Sequence, residues 1–304
     1  MKRAGLFALF ASSALVAGAA QAQQICCVAP QPQYAQPQYA PQPQYAPAPP
    51  AGLRGYAEPQ YPDRPAPPLL RGYVGVEYGK ARLNPGSPSP RVETWTGEAA
   101  FAGQMRGMGV QGDIKVANFD TRTGTTSSSG TVVSPTVHVY KRNPYGLIGG
   151  WAGWSHSNGA DLWGLGAEGQ AYMSGATIYG SVGYGHVNDT IDQNLWAARL
   201  EGRYYVTENF SLAAQVGLVR ASATSGATTA RSTVRSVGFG AEFQPGTLPF
   251  SIQAGYTHAD ASNSSAESDT IRVGLRWNFD GGSLAERDRV GATLNNVTDL
   301  FLSN

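Results

Sequence analysis

Ile271–Phe279 (IRVGLRWNF) alternates apolar and polar residues without a break. Ile271, Val273, Leu275, Trp277 and Phe279 share one face of an extended chain, and Arg272, Gly274, Arg276 and Asn278 share the other. A period of two is the mark of a β-strand whose faces meet different surroundings. Two settings satisfy it: the wall of a closed barrel with its greasy face outward, and an edge or core strand of a sandwich. The rest of the chain decides between them.

The opposite end carries an export signal. Met1-Lys2-Arg3 is a short basic start, Ala4–Ala20 is mostly Ala, Leu, Phe, Val and Gly, and Ala20-Gln21-Ala22 fits a small-x-small cleavage site before Gln23. Residues 1–22 therefore read as a secretory signal peptide, since the apolar run is short for a membrane anchor. The chain has two cysteines, the adjacent Cys26 and Cys27, with Gln23-Gln24-Ile25 before them in place of a lipidation box. Two ligands do not make a zinc site, so intermolecular pairing or a quiet thiol pair is expected. No later stretch is long and apolar enough to cross a membrane as a helix. Only 14% of the 304 residues are charged, 38 are glycine, and the net charge is +1. That near-neutral balance gives no electrostatic case for nucleic acid. The length allows one domain with appendages rather than two packed domains.

Pro30 to about Leu70 is of low complexity, with Pro-Gln-Tyr-Ala at Pro32–Ala35, Pro37–Ala40 and Pro43–Ala46. Proline at this density prevents helix and interior strand, so residues 23–70 read as a disordered, extended spacer. From Arg71 the texture changes to short alternating runs. Twelve candidate strands lie near 72–80, 92–102, 105–118, 132–141, 145–155, 161–173, 176–187, 195–206, 210–220, 233–244, 249–259 and 269–279, with ten as the alternative count. Trp196, Ala198, Leu200, Tyr204 and Val206, for example, oppose Arg199, Glu201, Arg203 and Tyr205.

The links alternate strictly. Short ones fall at Gly103-Gln104, Arg142–Pro144, Ser174-Gly175, Thr207–Asn209 and Pro245–Leu248. Longer polar ones fall at Arg82–Arg91, Asp120–Thr131, His156–Ala160, Asn188–Asn194, Ala221–Ser232 and Asp260–Ser268. That rhythm fits an up-and-down barrel and not a sandwich, whose Greek-key crossovers break it. An open sheet in lipid would also leave backbone groups unpaired at several kcal/mol each, so the sheet should close.

Gly274-x-x-Trp277-x-Phe279 resembles the closing-strand signal of bacterial outer-membrane β-barrels, and Arg71–Phe279 as a whole resembles a porin-like or small barrel of that kind. The resemblance implies an all-β, closed antiparallel transmembrane barrel over 71–279 in the bacterial outer membrane. It further implies that the spacer (23–70) and a C-terminal tail (280–304) are periplasmic. The implied partners are outer-membrane lipid and lipopolysaccharide, and the barrel-assembly machinery reading Gly274, Trp277 and Phe279. The spacer itself reads first as an inert tether, and second as a segment whose tyrosines touch peptidoglycan or a protein partner. Tyr73, Trp95, Trp154, Tyr184, Trp196, Tyr204, Tyr256 and Trp277 are placed for interfacial girdles. Asp280-Gly281-Gly282 breaks the last strand, and Ser283 with Glu286 three residues on begins a short capped helix. The tail reads as a flexible appendage rather than a plug.

The wet face would line a lumen with Glu98, Asp113, Lys115, Glu168, Arg199, Glu201, Arg203, Glu242, Arg272 and Arg276. Such mixed charges either pair and close the lumen or line a narrow aqueous passage. The histidines, His138, His156, His186 and His258, show no metal-ligand spacing, and His138 should point inward. Ser155-His156-Ser157-Asn158 resembles the His-x-Ser-Asn segment of outer-membrane lipid A deacylases, but here serine directly follows histidine, and neighbours on a strand face opposite ways. No catalytic, metal or cofactor site is assigned. The leading expectation is a non-enzymatic narrow diffusion channel or structural envelope component. A surface-binding or adhesion barrel presenting the Ser/Thr-rich loops Asp120–Thr131 and Ala221–Ser232 comes second, and a lipid A-modifying enzyme third.

Overall fold

The computed structural model describes residues 70–301 apart from 85–88, 106–107, 190, 226–227, 263–265 and 280. The export signal, the proline-rich spacer and Cys26-Cys27 lie outside the described residues. Twelve strands follow one another: β1 (Leu70–Leu83), β2 (Arg91–Met105), β3 (Met108–Thr123), β4 (Thr126–Asn143), β5 (Gly146–Ser157), β6 (Ala160–Met173), β7 (Ala176–Asn188), β8 (Gln193–Thr207), β9 (Phe210–Ser225), β10 (Thr228–Phe243), β11 (Phe250–Ala261) and β12 (Glu267–Asn278). Each pairs antiparallel with its sequence neighbours, and β1 pairs with β12 to close the barrel. The closing register runs from Tyr73 opposite Asn278 to Leu83 opposite Ser268. The alternating stretch Ile271–Asn278 is thus one half of the seam.

The period of two sorts every strand into an outer and an inner face. Ile271, Val273, Leu275, Trp277 and Phe279 point outward and stay 49–62% exposed, while Arg272 and Arg276 turn inward. Val74 and Val76, Leu212, Val216 and Leu218, and Val237 and Phe239 repeat the pattern elsewhere on the wall. So much continuous exposed apolar surface is untenable in water and natural in hydrocarbon. The band ends abruptly. Tyr78, Trp95, Trp154, Trp163, Tyr184, Trp196 and Tyr256 edge it on one side, and Lys80, His156, Asp161, Asn194, Arg220, Arg235 and Asp269 stand just beyond. Phe101, Phe243 and Phe279 mark the other side, with Phe279 stacked on Phe101 (ring centroids 5.9 Å apart). Tyr73, expected in a girdle, faces inward instead. Its ring lies 3.9 Å from the Arg276 guanidinium, a contact that the inward parity of β1 imposes.

One end of the barrel holds the start of β1 and the finish of β12 and is called here the terminal end. The opposite end is the far end. Several links expected to be long loops there are strand instead. β3 and β4 run on through Asp120–Thr131 to a two-residue turn at Gly124-Thr125, and β9 and β10 run on through most of Ala221–Ser232. His156 and Ser157 likewise belong to β5, which turns at Asn158 (φ 47°) and Gly159 (φ 90°), the paired positive φ values of a tight hairpin. Polarity does not mean irregularity here. Ser and Thr mark where the wall leaves the apolar band, yet Thr suits a strand and the backbone ladder continues in water.

Pro135 sits inside β4 without an N–H to give, and the β4–β5 register breaks at Ser134 and Pro135. Ser134 Oγ donates to the Trp154 carbonyl at 3.3 Å, supplying a partner where the ladder cannot.

The tail is not a free appendage. After β12 it turns back into the barrel as α1 (Leu284–Val290), capped by Ser283 as its spacing predicts, and α2 (Val297–Phe301). Neither helix, nor any other among the described residues, is long and apolar enough to cross a membrane.

Candidate functional site

All ten charged residues assigned to the wet face point into the lumen, where eight of them, with His138, form three groups. In the first, Arg276 meets Glu98 at 2.8 Å and Lys115 reaches Glu98 at 3.7 Å. In the second, Glu201 is held between Arg199 (2.8 Å) and Arg203 (2.7 Å), a ladder along one strand. In the third, His138 stands between two carboxylates, with Nδ1 2.7 Å from Glu168 and Nε2 2.9 Å from Asp113. With a carboxylate at each nitrogen, the imidazole is held in place from both sides. Glu242 accepts from Ser251, and Arg272 donates to Thr257 Oγ1 at 3.1 Å.

The tail docks onto these groups from the terminal end upward. Gly281 and Gly282 adopt φ of 62° and 77°, which lets the chain double back after β12. Gln244 then donates to the Gly282 carbonyl at 3.0 Å, and Asp288 pairs with Arg203. Both terminal nitrogens of Arg142 donate to the Gly291 carbonyl at 3.2 Å. Gln111 grips the Leu294 backbone from both sides, donating at 3.0 Å and accepting at 3.2 Å. Asn296 donates to the Ser134 carbonyl at 2.9 Å and to Asp113, while Thr136 Oγ1 accepts from the Val297 N–H at 3.0 Å. Lys115 binds both oxygens of Asp299, at 2.7 and 2.9 Å. Burial in the lumen works against the Asp299 carboxylate, but Lys115 and Arg199 beside it outweigh that and hold its carboxyl below the ordinary range.

Apolar packing completes the dock. Phe301 is 1% exposed among Trp151, Leu162, Val187 and Leu195, a burial worth about 1.5–3 kcal/mol. The wall makes room with glycine. A Cβ added at Gly153 would lie 2.7 Å from Val297, and one at Gly164 or Gly185 would lie 2.7 or 2.9 Å from the Phe301 ring. These inward glycines on β5, β6 and β7 form a cradle shaped for α2.

The result is a lopsided lumen. On the β3–β7 side, Gln111, Ser134, Thr136, His138, Glu168, Gln170, Thr177 and Ser181 are each at most 5% exposed. On the side of β10, β11, β12 and β1, Glu77, Glu242, Gln253 and Arg272 remain only half-buried. There, Cβ atoms added at Gly79, Gly240, Gly255 and Gly274 would meet neighbouring strands first, not the tail. The inward charges were readable from alternation alone. Their tail partners, Asp288, Asn296 and Asp299, were not, because the tail has no strand alternation to place them. The run of inward glycines on β5–β7 was the one available hint.

His156 and Ser157 do not form a catalytic pair. His156 faces outward and meets Asp161 at 2.8 Å, while Ser157 is buried on the inner face.

The profile of the family described as "Outer membrane protein beta-barrel domain" matches residues 95–279. Among curated proteins, none matches the chain in sequence. An outer membrane channel from Pseudomonas putida F1 is similar in structure, with a TM-score of 0.58 at 13% identity, covering 70% of this chain and 97% of that one. The translocator domain of the autotransporter NalP from Neisseria meningitidis is also similar, with a TM-score of 0.52 at 14% identity, covering 71% of this chain and 90% of that one. At such identities the likeness concerns the fold.

Proposed function

Because the chain belongs to the outer membrane protein β-barrel domain family, and so to the bacterial outer membrane, we propose that it is a narrow, non-enzymatic diffusion channel whose bore is set by its own tail. In this reading the terminal end faces the periplasm and the far end faces outward. The observation that carries it is the lopsided lumen: the tail seals the β3–β7 side, while Glu77, Glu242, Gln253 and Arg272 on the wall from β10 to β1 stay half-exposed. A small polar solute would pass along that wall between Glu77, Glu242, Gln253 and Arg272, with glycines keeping the path clear of larger side chains. Acidic and basic groups across so narrow a path set a transverse field and disfavour apolar solutes.

No enzymatic step is needed for this role. The inward histidine has carboxylates, not a nucleophile, at both nitrogens. Planar-bilayer recording of the full chain tests the proposal. The expected result is small, steady, ohmic steps. Silence from correctly folded protein would leave a sealed, structural barrel instead.

A further inference from the structure

On the outer face of β1, β2 and β3, near the far end, three arginines stand side by side. Arg82 lies opposite Arg91, and Arg91 lies opposite Arg122. All three are exposed. Like charges directly opposite on neighbouring strands destabilise a sheet, so such a row calls for anions from elsewhere.

The surrounding protein supplies few. One row below, Glu93 is taken by Lys80 at 3.4 Å, with Asp120 in register beside it. Asp269, opposite Arg82 across the seam and within its electrostatic reach, already accepts from Tyr256 at 2.6 Å and meets His258 at 2.9 Å. Glu267 is two residues beyond Asp269 on the same outer face. Among the described residues, no ion pair joins Arg82, Arg91 or Arg122 to a carboxylate. Residues 84–90 and the Gly124-Thr125 turn carry no charge either.

The height of the row is informative. Arg82 and Arg91 are each four residues beyond the girdle aromatics Tyr78 and Trp95. Four residues of strand are about 13 Å, or roughly 10 Å along the barrel axis after tilt. That is the depth of lipid headgroups, just past the hydrocarbon.

We propose that Arg82, Arg91 and Arg122 bind the phosphate groups of a phosphorylated lipid in the outer leaflet. The proposal rests on the orientation given above, which places the far end outside. Neighbouring strands are about 4.8 Å apart, so two guanidinium forks can close on one phosphate, each through paired N–H donors.

The test uses the full chain, folded in detergent, with bis-phosphorylated lipid A as the probe. Two quantities are read: lipid adducts by native mass spectrometry, and the temperature at which the fast-migrating folded form is lost on a gel. The expected result is binding and a higher temperature with the bis-phosphorylated lipid. Dephosphorylated lipid A and inorganic phosphate at equal concentration should do neither. In Arg82→Gln/Arg91→Gln/Arg122→Gln both effects should vanish while the folded form persists. Arg91→Gln alone, at the centre of the row, should weaken binding roughly tenfold, the scale of one lost charged hydrogen bond. Equal stabilisation by the dephosphorylated lipid, or by phosphate alone, would overturn the proposal. So would unchanged binding in Arg91→Gln.

Discussion

Ending the chain after Phe279 is expected to raise single-channel conductance severalfold. Among the described residues, the segment that enters the lumen belongs to the removed part: Asp288 on Arg203, Leu294 on Gln111, Asn296 on Ser134, Asp299 on Lys115 and Phe301 in its glycine cradle. The ladder that closes the wall does not involve the tail. Truncation also leaves Trp277-x-Phe279 at the extreme C-terminus, where closing-strand signals ordinarily stand. The shortened barrel should therefore still assemble and keep its heat-modifiable mobility. The measurement is step size in a planar bilayer for the full and shortened chains at equal voltage and salt. Equal step sizes from two folded proteins would mean that the tail does not restrict the path.

Asp299→Ala should loosen the tail without removing it. The substitution takes both carboxylate oxygens from Lys115 and leaves that ammonium with Glu98 at 3.7 Å. Breaking a buried pair commonly costs about 3–5 kcal/mol; water reaches part of this one, so about 2 kcal/mol is the better figure, a ~30-fold shift toward the undocked tail. Protease cleavage of the tail in otherwise intact barrels should quicken in proportion. Acid should act on the unmodified protein in the same direction. Because the docked Asp299 carboxyl sits below its ordinary range, its contribution is complete above the free carboxylate value of about 3.9 and fades as pH falls through the lower docked value. Tail cleavage by an acid-stable protease should therefore rise below about pH 4. It should rise less steeply in Asp299→Asn, which has lost that titration.

The wall was legible from residues such as Ile271–Phe279 because lipid on one side and water on the other leave a mark on every second position. Wherever that contrast holds, parity alone placed the side chains, which is why Glu98, Lys115, Glu201 and Arg276 could be put inside before any partner was known. Legibility failed where the contrast stops. Asp120–Thr131 is polar on both faces beyond the apolar band, so nothing in its pattern separates strand from loop, and only the ladder between β3 and β4 reveals it. The tail failed for a related reason. So short a segment shows only a brief apolar stripe, Val297, Leu300 and Phe301, and Asn296 and Asp299 look like solvent-exposed residues until Ser134, Asp113 and Lys115 are set around them. Glycine suits curvature and tight packing in a barrel wall. At Gly153, Gly164 and Gly185 it is also the imprint of Val297 and Phe301.

The most direct test of the tail's place in the lumen is a covalent one. A Cβ at Gly153 would lie 2.7 Å from the Val297 Cβ, so the two Cα atoms stand within the span a disulfide bridges after a small adjustment. Gly153→Cys/Val297→Cys, with Cys26 and Cys27 changed to Ser, should be purified from the outer membrane under non-reducing conditions. The prediction is a cross-linked, fully folded barrel whose conductance stays at the small step of the unmodified chain and whose tail becomes free to move only after reduction. A folded barrel in which both thiols remain free and alkylatable would contradict the account.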